Sequence, residues 1–429
     1  MQYLWVYVAV LALVWWWYLR RRARMLRAHA EQAEQALAAG LVEPPSLHPV
    51  INPQRCLGSS SCVAACPEQA LGIVNGKAAL VQASACIGHG ACHAACPVDA
   101  ITLVFGTEKR GIDLPQLSPH FETNVPGIFI AGELGGMGLI RKASEQGRQA
   151  IAAIRKRARG HHEFDVIIVG GGPAGLSAGL SAIEAKLRYK LIEQEASLGG
   201  AVYHYPRNKI AMTAPVKLAL IGKVRFGEIS KEKLLQFWDR IVRRTGLQIA
   251  FRETMESVEP SGDGFVVRTN ARAYRTRSVL LALGRRGSPR KLEVPGEESS
   301  KVVYRLVDAA QYDGKAVLVV GGGDSALEAA LALSERPGTT TALSYRGEAF
   351  SRVKPNNRQA IEQARQAGRV QVLLQSTVLA IEPDRVRLQL AAGEKALRND
   401  AVIVCAGGQL PTPLLEKMGI RFETKHGTA

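Results

Sequence analysis

The segment FDVIIVGGGPAG at residues 164–175 determines the architecture predicted for this chain. Five of its first six residues are apolar and largely β-branched, which is typical of a strand buried on both faces. Gly170, Gly172 and Gly175 follow with G-x-G-x-x-G spacing, ahead of a run with helical character. In such a loop the glycines give a tight turn, close approach of the backbone to a pyrophosphate, and close packing of helix on strand. The next apolar segment ends at Glu193, where an acid would bind a ribose hydroxyl, so the segment predicts a dinucleotide site.

A second copy of this pattern lies downstream. Residues 315–320 (KAVLVV) predict a strand, and Gly321, Gly323 and Ala326 follow with G-x-G-x-x-A spacing ahead of another helix-like run. Two such units predict two bound dinucleotides, most simply a flavin and a nicotinamide. The alternative is one functional fingerprint and one decayed duplicate.

Composition supports a folded protein. A chain of 429 residues is long enough for two or three domains, and 47% hydrophobic residues with mixed strand and helix patterns favour an α/β fold over disorder. The net charge of +17 indicates an acidic partner or an anionic surface. Because the basic residues are densest beside the apolar N-terminus, and no basic platform with interleaved aromatic residues is present, we do not predict nucleic acid as a partner.

The N-terminus predicts a membrane anchor. Residues 3–19 carry no charge, and as a helix they would span about 25 Å, just enough for a bilayer core. An aromatic run at residues 15–18 precedes arginines at 20, 21, 22, 24 and 27. We therefore expect a single-pass helix in the cytoplasmic membrane, the lipid bilayer as a partner, and the remaining domains in the cytoplasm. A cleaved signal peptide is the alternative, but its positive charges would precede the apolar run.

An internal repeat occupies residues 49–108, where INPQRCLGSSSCVAACPEQAL is echoed by ASACIGHGACHAACPVDAI. The repeat resembles bacterial two-cluster ferredoxins, whose halves each carry C-x2-C-x2-C-x3-C-P. Both halves here keep the first, third and fourth cysteines. In that family the fourth cysteine of each half binds the other cluster. The resemblance implies these ligand sets: Cys56, Cys62 and Cys96 for one iron–sulfur cluster, and Cys86, Cys92 and Cys66 for the other.

The second ligand position departs from the ferredoxin pattern. It is Ser59 in the first half and His89 in the second, which leaves three thiolates for each cluster. Three thiolates suit a [3Fe-4S] cluster, or a [4Fe-4S] cluster whose last iron is bound by Ser59, His89, water or an outside ligand. Loss of a thiolate removes negative charge, so we expect a higher reduction potential than in an all-cysteine ferredoxin. A ferredoxin fold that has lost its metal is the alternative.

Residues 121–150 resemble the segment with which flavoprotein disulfide reductases of the thioredoxin reductase type close their FAD domain, T-x-x-P-G-x-F-A-x-G-D. Gly132 and Glu133 match its end, although Glu replaces Asp. The resemblance implies that this acid contacts the ribityl chain and that the next helix points its N-terminus at the flavin. In the family this segment follows both fingerprints, whereas here it precedes them. We infer a circular permutation; the alternative is that the segment completes a neighbouring subunit.

The order of motifs from residue 163 to about 419 resembles the same family, and most closely bacillithiol disulfide reductase. The shared motifs include YHYP at 203–206, LALG at 281–284, SYRG at 344–347 and CAGGQLP at 405–411. The resemblance implies that Tyr203, His204 and Tyr205 lie near the flavin, with His204 a candidate proton donor. No C-x-x-C or C-x4-C pair is present at the family's positions, so a dithiol relay is excluded. The lone Cys405 is interpreted as a buried inert thiol.

Basic residues follow the second fingerprint. The strand at residues 340–343 ends without an acid, and Arg346, Arg352 and Lys354 come next. Such a cluster accommodates the 2′-phosphate of NADP, so we predict NADPH rather than NADH, with Arg346 the best match to the family. The residues predicted to contact FAD are Gly170, Gly172, Pro173, Ala174, Gly175, Glu193, Gly200, Gly284, Gly132 and Glu133. The residues predicted to contact NADPH are Gly321, Gly323, Asp324, Ser325, Ala326, Arg346 and Arg352.

The predicted fold is therefore α/β, with two Rossmann-like dinucleotide-binding domains, an α+β ferredoxin domain and an N-terminal transmembrane helix. The predicted segments are an anchor (1–20), a basic helix and linker (21–48), the ferredoxin-like domain (49–108), the flavin-closing segment (109–158), the FAD domain (162–288), the NAD(P) domain (289–399) and a return strand (400–429).

We hypothesise a membrane-anchored NADPH-dependent flavoprotein oxidoreductase. Electrons would pass from NADPH through FAD to iron–sulfur clusters and on to a membrane-associated acceptor, or in reverse, because hydride transfer delivers two electrons and a cluster accepts one. One alternative is an NADPH-dependent reductase of a low-molecular-weight disulfide. Another is a membrane-tethered redox sensor. Whether the chain forms a homodimer is left open.

Overall fold

The computed structural model describes residues 3–44, 47–108, 111–136, 138–157, 161–205, 210–212, 215–284, 289–408 and 411–427. The chain begins with a long helix, α1 (Leu4–Ala38), in which residues 5–19 are exposed. Its second half packs against the cysteine-rich part, where His29 Nδ1 accepts a hydrogen bond of 3.1 Å from the Ile73 amide. Leu26 also packs against the core of that part. The predicted basic helix is thus continuous with the N-terminal segment and is held by tertiary contacts.

The predicted membrane anchor is not supported. No helix within the described ranges has both the length and the apolar content needed to cross a bilayer. The uncharged part of α1 includes Trp5, Tyr7 and the aromatic run at residues 15–18, whose polar ring atoms lower its mean hydropathy, and arginines follow at once. The predicted location in the cytoplasmic membrane is therefore wrong. The lipid bilayer and a membrane-associated acceptor were predicted as partners from this anchor, so these predictions are not supported either. Residues 1 and 2 of the predicted anchor lie outside the described residues.

The cysteine-rich part folds as two matching halves. Its elements are β1 (His48–Ile51), α2 (Ser61–Ala64), β2 (Leu71–Val74), β3 (Lys77–Leu80), α3 (Ala91–Ala94) and β4 (Ile101–Val104). β1 pairs antiparallel with β4, and β2 with β3. Each short helix follows a residue with left-handed backbone, which is Ser60 at φ 63° before α2 and Gly90 at φ 80° before α3. This equivalent geometry is what the sequence repeat predicts.

The middle of the chain forms a seven-stranded sheet with smaller strand pairs beside it. Its elements are β5 (Ile112–Pro115), β6 (Ile128–Ile130), α4 (Ile140–Arg155), β7 (Phe164–Val169), α5 (Pro173–Glu184), β8 (Tyr189–Glu193), β9 (Ile210–Met212), β10 (Val216–Leu218), β11 (Gly222–Val224), β12 (Glu228–Ser230), α6 (Lys231–Thr245), β13 (Ile249–Phe251), β14 (Met255–Ser261), β15 (Gly264–Thr269) and β16 (Ala273–Leu281).

β7 is the central strand of this sheet. The order is β13-β8-β7-β16-β15-β14, with β6 also pairing with β16. β13, β8, β7, β16 and β6 run parallel, and β15 and β14 continue antiparallel. Val166 and Ile168 of β7 pack towards α4 and α5, whereas Ile167 and Val169 pack towards β14 and β15. The prediction of a strand buried on both faces is confirmed.

The segment at residues 121–150 forms part of this sheet in the same chain. β6 pairs with β16, placing Ile130 opposite Leu281. α4 then crosses α5 through small residues, and a Cβ on Gly147 would lie 2.1 Å from the Ala174 carbonyl oxygen. This segment precedes the first fingerprint in sequence, but in the sheet it lies beside β16, which comes after the fingerprint. The permuted arrangement predicts this position. A neighbouring subunit is not needed to complete this sheet.

We expect Gly147→Ala to destabilise the protein by about 1–3 kcal/mol, because the added methyl group forces α4 away from α5. Alanine is the better helix former by up to about 1 kcal/mol, so a loss of stability would report the clash rather than helix propensity. Urea unfolding monitored by circular dichroism measures the change. The control is Gln149→Ala on the exposed face of the same helix, which should change stability by less than about 0.5 kcal/mol. An unchanged midpoint for Gly147→Ala would contradict the close crossing.

The remainder of the chain forms a second parallel sheet and a three-stranded antiparallel one. Its elements are β17 (Val302–Val303), β18 (Ala316–Val320), α7 (Asp324–Ser334), β19 (Thr340–Ser344), α8 (Pro355–Gln366), β20 (Val370–Leu373), β21 (Thr377–Ile381), β22 (Arg385–Leu390), β23 (Gly393–Arg398), β24 (Ala401–Val404), α9 (Thr412–Lys417) and β25 (Phe422–Lys425). The parallel order is β17-β24-β18-β19-β20, and β21, β22 and β23 pair antiparallel.

The end of the chain returns to the segment before the first fingerprint. β25 pairs antiparallel with β5. The Asn124 side chain donates a hydrogen bond of 2.9 Å to the Gly419 carbonyl and accepts one of 2.8 Å from the Arg421 amide. The C-terminal residues and the flavin-closing segment are therefore neighbours, which is the adjacency that a circular permutation requires. The exact bounds of the domains remain predictions.

Candidate functional site

Four parallel strands of the larger sheet end level at one edge. Val169 pairs with Ile192 and Leu281, and Leu281 pairs with Ile130, so β7, β8, β16 and β6 have aligned carboxyl ends. Ligands bind outside this edge in open α/β sheets. The loops that leave it carry the predicted FAD contacts Gly132, Glu133, Gly170, Gly172, Pro173, Ala174, Gly175, Glu193 and Gly284.

The fingerprint glycines have three different environments. Gly170 has φ 114°, and a Cβ on it would lie 2.5 Å from the Ala282 carbonyl oxygen. A Cβ on Gly175 would lie 1.8 Å from the Gly170 carbonyl oxygen. Gly172 is open, since the nearest atom to its Cβ would be the Gly200 Cα at 3.9 Å. The turn, the tight packing and the open approach predicted from sequence are all present, and the open cradle at the N-terminus of α5 fits a pyrophosphate.

Glu193 connects two of these loops. Its carboxylate accepts hydrogen bonds of 2.6 Å from the Gly171 amide and 2.9 Å from the Glu195 amide. Burial raises the pKa of Glu193, and the bonds from these amides oppose that rise. The acid thus fixes the fingerprint loop against the end of β8. Its contact with a ribose hydroxyl remains a prediction.

The closing segment lies against the same cradle. A Cβ on Gly132, which has φ 88°, would lie 3.2 Å from the Ala174 Cβ. The Gly132 amide donates a hydrogen bond of 2.7 Å to Gln146 Oε1 on α4. Glu133 is half-buried, and its carboxylate has no hydrogen bond or ion pair with another described residue. It is therefore available for the predicted contact with a ribityl hydroxyl.

The predicted catalytic residues lie just after the 3-10 helix Gly200–Val202. Tyr203 is 44% exposed, and the Lys231 ammonium lies 5.7 Å from its ring centre. The Tyr205 side chain packs into the core beside α6, while its carbonyl accepts a hydrogen bond of 2.6 Å from Lys231 Nζ. Pro206 of the YHYP motif lies outside the described residues, as do residues 409 and 410 of CAGGQLP.

His204 joins the two nucleotide-binding parts. The Arg305 guanidinium lies 2.6 Å from His204 Nδ1, and Glu195 lies 3.3 Å from His204 Nε2. Because a guanidinium only donates, Nδ1 accepts from Arg305 here, and Nε2 lies within ion-pair distance of the Glu195 carboxylate. His204 therefore has two charged partners in this arrangement. Its role as a proton donor remains a prediction.

The smaller parallel sheet has a similar edge. Val320 pairs with Ser344 and Val404, so the second fingerprint and the loops after β19 and β24 leave together. The predicted NADPH contacts at this edge are Gly321, Gly323, Asp324, Ser325, Ala326, Arg346 and Arg352. A Cβ on Gly321 would lie 2.4 Å from the Cys405 carbonyl oxygen, whereas one on Gly323 would have no described atom within 4 Å. This open cradle at the start of α7 fits a second pyrophosphate.

Basic residues near this edge differ in their surroundings. Arg346 and Arg352 are exposed and have no ion pair with a described residue. The backbone amide of Lys354 donates a hydrogen bond of 3.0 Å to the Asp324 carboxylate, which also accepts one of 2.7 Å from the Asn357 side chain. Asp324 thus fixes the start of α8, and the two arginines remain available for a phosphate.

The thiols surround two cavities. No three His, Cys, Asp or Glu side chains in the described ranges are grouped to hold a single metal ion. The potential ligands that line the first cavity are Cys56, Ser59, Cys62 and Cys96. Those that line the second are Cys66, Cys86, His89 and Cys92. The exchange of the fourth cysteine between halves, implied by the ferredoxin resemblance, is therefore present, and two thiol-lined cavities fit iron–sulfur clusters.

The protonation of these groups follows from their burial. Burial raises the pKa of Cys86 to about 11 and also raises that of Cys62 and Cys92. Metal binding must therefore release thiol protons. The pKa of His89 is lowered, chiefly by burial, with Glu68 opposing this shift and Lys142 of α4 adding to it. The imidazole is thus favoured in its neutral form.

Residues of β4 and the residue after it contact the first cavity, the second cavity and the flavin-closing segment, in that order along the chain. Ile101 lines the first cavity and Leu103 the second. The ring of Phe105, two residues further on, would lie 2.7 Å from a Cβ on Gly136, directly after the 3-10 helix that contains Glu133. Two residues of extended chain advance about 6.6 Å. The second cavity is therefore the nearer one to the flavin-closing segment.

Sequence reasoning missed several residues of these sites. Gln146, Arg305 and Phe105 make contacts between distant segments, and no local motif marks them. Tyr345 lies within the SYRG motif, which predicts no role for its ring, yet that ring would lie 2.1 Å from a Cβ on Gly322 of the second fingerprint. Gly147 had a visible signal, because small residues recur along one face of α4.

Comparisons with known proteins cover both parts of the chain. A family model described as pyridine nucleotide-disulphide oxidoreductase matches residues 167–428, and one described as a 4Fe-4S dicluster domain matches residues 48–97. The ferredoxin–NADP reductase of Pediococcus pentosaceus is 33% identical over 228 residues, which are 51% of this chain and 61% of the relative. That of Thermus thermophilus is 31% identical over 271 residues, which are 60% of this chain and 77% of the relative.

A solved structure is also similar. Bacillithiol disulfide reductase from Bacillus cereus has 26% sequence identity and a TM-score of 0.54, with 60% of this chain and 81% of that chain covered. The chain spans 61% of the length of the Pediococcus relative.

Proposed function

The chain belongs to the pyridine nucleotide-disulphide oxidoreductase family, with FAD and NADP(H) as cofactors and an iron–sulfur dicluster domain, and we propose that it exchanges electrons between NADPH and that domain. The activity is that of a ferredoxin–NADP reductase in which the ferredoxin-like acceptor is part of the same chain. Flow in either direction is consistent with this activity.

One observation carries the proposal: the dicluster part packs directly on the flavin-closing segment. The contact between Phe105 and Gly136 joins the end of β4 to the residue that follows the 3-10 helix Glu133–Gly135. Electron transfer requires its donor and acceptor to be held close, and this contact within one chain supports such an arrangement. A free ferredoxin would need to dock at each turnover.

The residues of this chain divide the work by position. Gly172 and the N-terminus of α5 would bind the FAD pyrophosphate, Glu133 would orient the ribityl chain, and Arg346 would bind the 2′-phosphate of NADPH. FAD held there would supply the conversion between two-electron hydride chemistry and the single-electron transfer that an iron–sulfur cluster requires. The apolar packing of α4 against α5 buries the inner side of this cradle.

We place the external redox partner at the first cavity. Ser59 at its mouth is exposed, and the neighbouring Leu57 is 71% exposed. This cavity is also the one farther from the flavin edge along β4. A protein that exchanges single electrons would meet the chain here, and the net charge of +17 favours an acidic one.

Anaerobic titration of the full-length protein with NADPH tests the function. We expect the visible absorbance of oxidised flavin to fall and the EPR signals of reduced clusters to grow in the same titration. Because the clusters receive electrons only through the flavin, the flavin-free protein should show neither change. Flavin that is reduced while the clusters stay oxidised would contradict the proposal.

A second candidate is the reduction of a low-molecular-weight disulfide. The fold likeness to bacillithiol disulfide reductase favours it, together with the exposed Tyr203 beside His204. NADPH oxidation that depends on an added small disulfide, and proceeds unchanged when the clusters are removed by chelation, would support this candidate instead.

A further inference from the structure

The two cavities differ where the ferredoxin pattern has its second cysteine. In the first, Ser59 is exposed and its hydroxyl lies 3.2 Å from the Ser61 hydroxyl. In the second, His89 Nε2 is buried and has no hydrogen-bond partner in the described part of the chain. A buried polar atom without a partner is unfavourable unless a bound group supplies one. This difference points to a ligand at the second cavity.

Backbone geometry fixes His89 at the cavity. Gly88 and Gly90, on either side of it, have φ 71° and 80°. A Cβ on Gly88 would lie 2.5 Å from the Leu47 carbonyl oxygen, so the loop is pressed against the neighbouring segment. His89 therefore lines the cavity together with its cysteines.

We infer that His89 coordinates an iron of the second cluster through Nε2. This site would then hold a [4Fe-4S] cluster with three thiolates and one imidazole, while the first site supplies three thiolates only. Neutral imidazole binds iron through its lone pair without releasing a proton or changing the electron count. The Ser59 hydroxyl would need to lose a proton, and it already has a hydroxyl partner. The inference rests on the proposed function only in requiring that the clusters are bound.

Glu68 is the competing ligand, because it also lines the second cavity. The corresponding position of the first cavity is Val98. Carboxylates suit harder cations such as Mg²⁺ and Ca²⁺, whereas imidazole suits iron. Glu68→Gln removes the charge at nearly constant size and is therefore the matched control.

Pulsed EPR on the full-length protein tests the assignment. The protein is prepared with isotopically labelled histidine, its clusters are reconstituted anaerobically, and dithionite reduces them, so that the route from NADPH is not needed. We expect hyperfine coupling to a histidine nitrogen in the wild type and in Glu68→Gln, and its loss in His89→Ala. Mild oxidation should then remove an iron from the second cluster in His89→Ala only.

Each outcome decides the inference. Coupling that persists in His89→Ala, or that is lost only in Glu68→Gln, would overturn it. If His89→Ala does not fold, His89→Cys should keep the full iron content and lose the coupling, and coupling retained there would equally overturn it. Wild-type protein with full iron and sulfide but no nitrogen coupling would refute the coordination by His89 and leave the proposed function standing. Wild-type protein that binds no iron or sulfide refutes the proposed function as well.

Discussion

Replacing Gly172 by valine is expected to abolish FAD binding while the chain still folds. The backbone at Gly172 has φ −79° and ψ −176°, which valine adopts without strain. Among the described atoms, only the Gly200 Cα would lie within 4 Å of its Cβ, so the new side chain enters open space rather than protein. That space is where the pyrophosphate approaches the backbone. We expect FAD affinity to fall by at least about 100-fold, or about 2.8 kcal/mol.

The flavin content of purified Gly172→Val and its melting temperature without flavin provide the measurement. Gly227→Val is the control, because a Cβ there has no described atom within 4 Å and Gly227 is not in the left-handed region. It should bind FAD as the wild type does. A Gly172→Val protein with normal flavin content would place the pyrophosphate elsewhere.

Local patterns in the sequence predicted the parts of the fold that depend on neighbouring residues. The strand Phe164–Val169 and the strand Ala316–Val320 lie where the apolar runs indicated, and each is followed by its glycine loop and helix. The resemblances to both families are confirmed by the matching family models. The cysteine sets were implied by the resemblance to two-cluster ferredoxins, and the cysteines of each set line one cavity.

Other features could not be predicted, because they depend on segments far apart in sequence. The placement of His204 near the flavin as a proton donor remains a prediction, but its contact with Arg305, about a hundred residues away, has no local motif that could have predicted it. The predicted membrane anchor, in contrast, is not supported by the structure. Residues 3–19 carry no charge, but the polar ring atoms of their aromatic residues lower the mean hydropathy, and no helix in the described part of the chain meets the requirements for crossing a bilayer.

Replacing Arg346 by alanine is expected to raise the KM for NADPH by about 10- to 100-fold and to leave the KM for NADH unchanged. A charge-assisted hydrogen bond contributes about 1.5–3 kcal/mol, and only NADPH carries the 2′-phosphate that would accept it. Arg346 follows β19 at the carboxyl edge of the smaller sheet, and it has no carboxylate partner among the described residues to weaken its charge. Steady-state kinetics with both nucleotides measure the effect.

Arg369 provides the matched control, because it is also exposed but directly precedes β20. It therefore lies at the amino edge of the same parallel sheet, away from the second fingerprint. Arg369→Ala removes the same charge from the same sheet and should change neither KM. An equal rise in the KM for NADPH in both arginine variants would mean that the overall positive charge of the protein attracts NADPH. A rise that is confined to Arg346→Ala, and absent with NADH, requires that the 2′-phosphate is bound at Arg346.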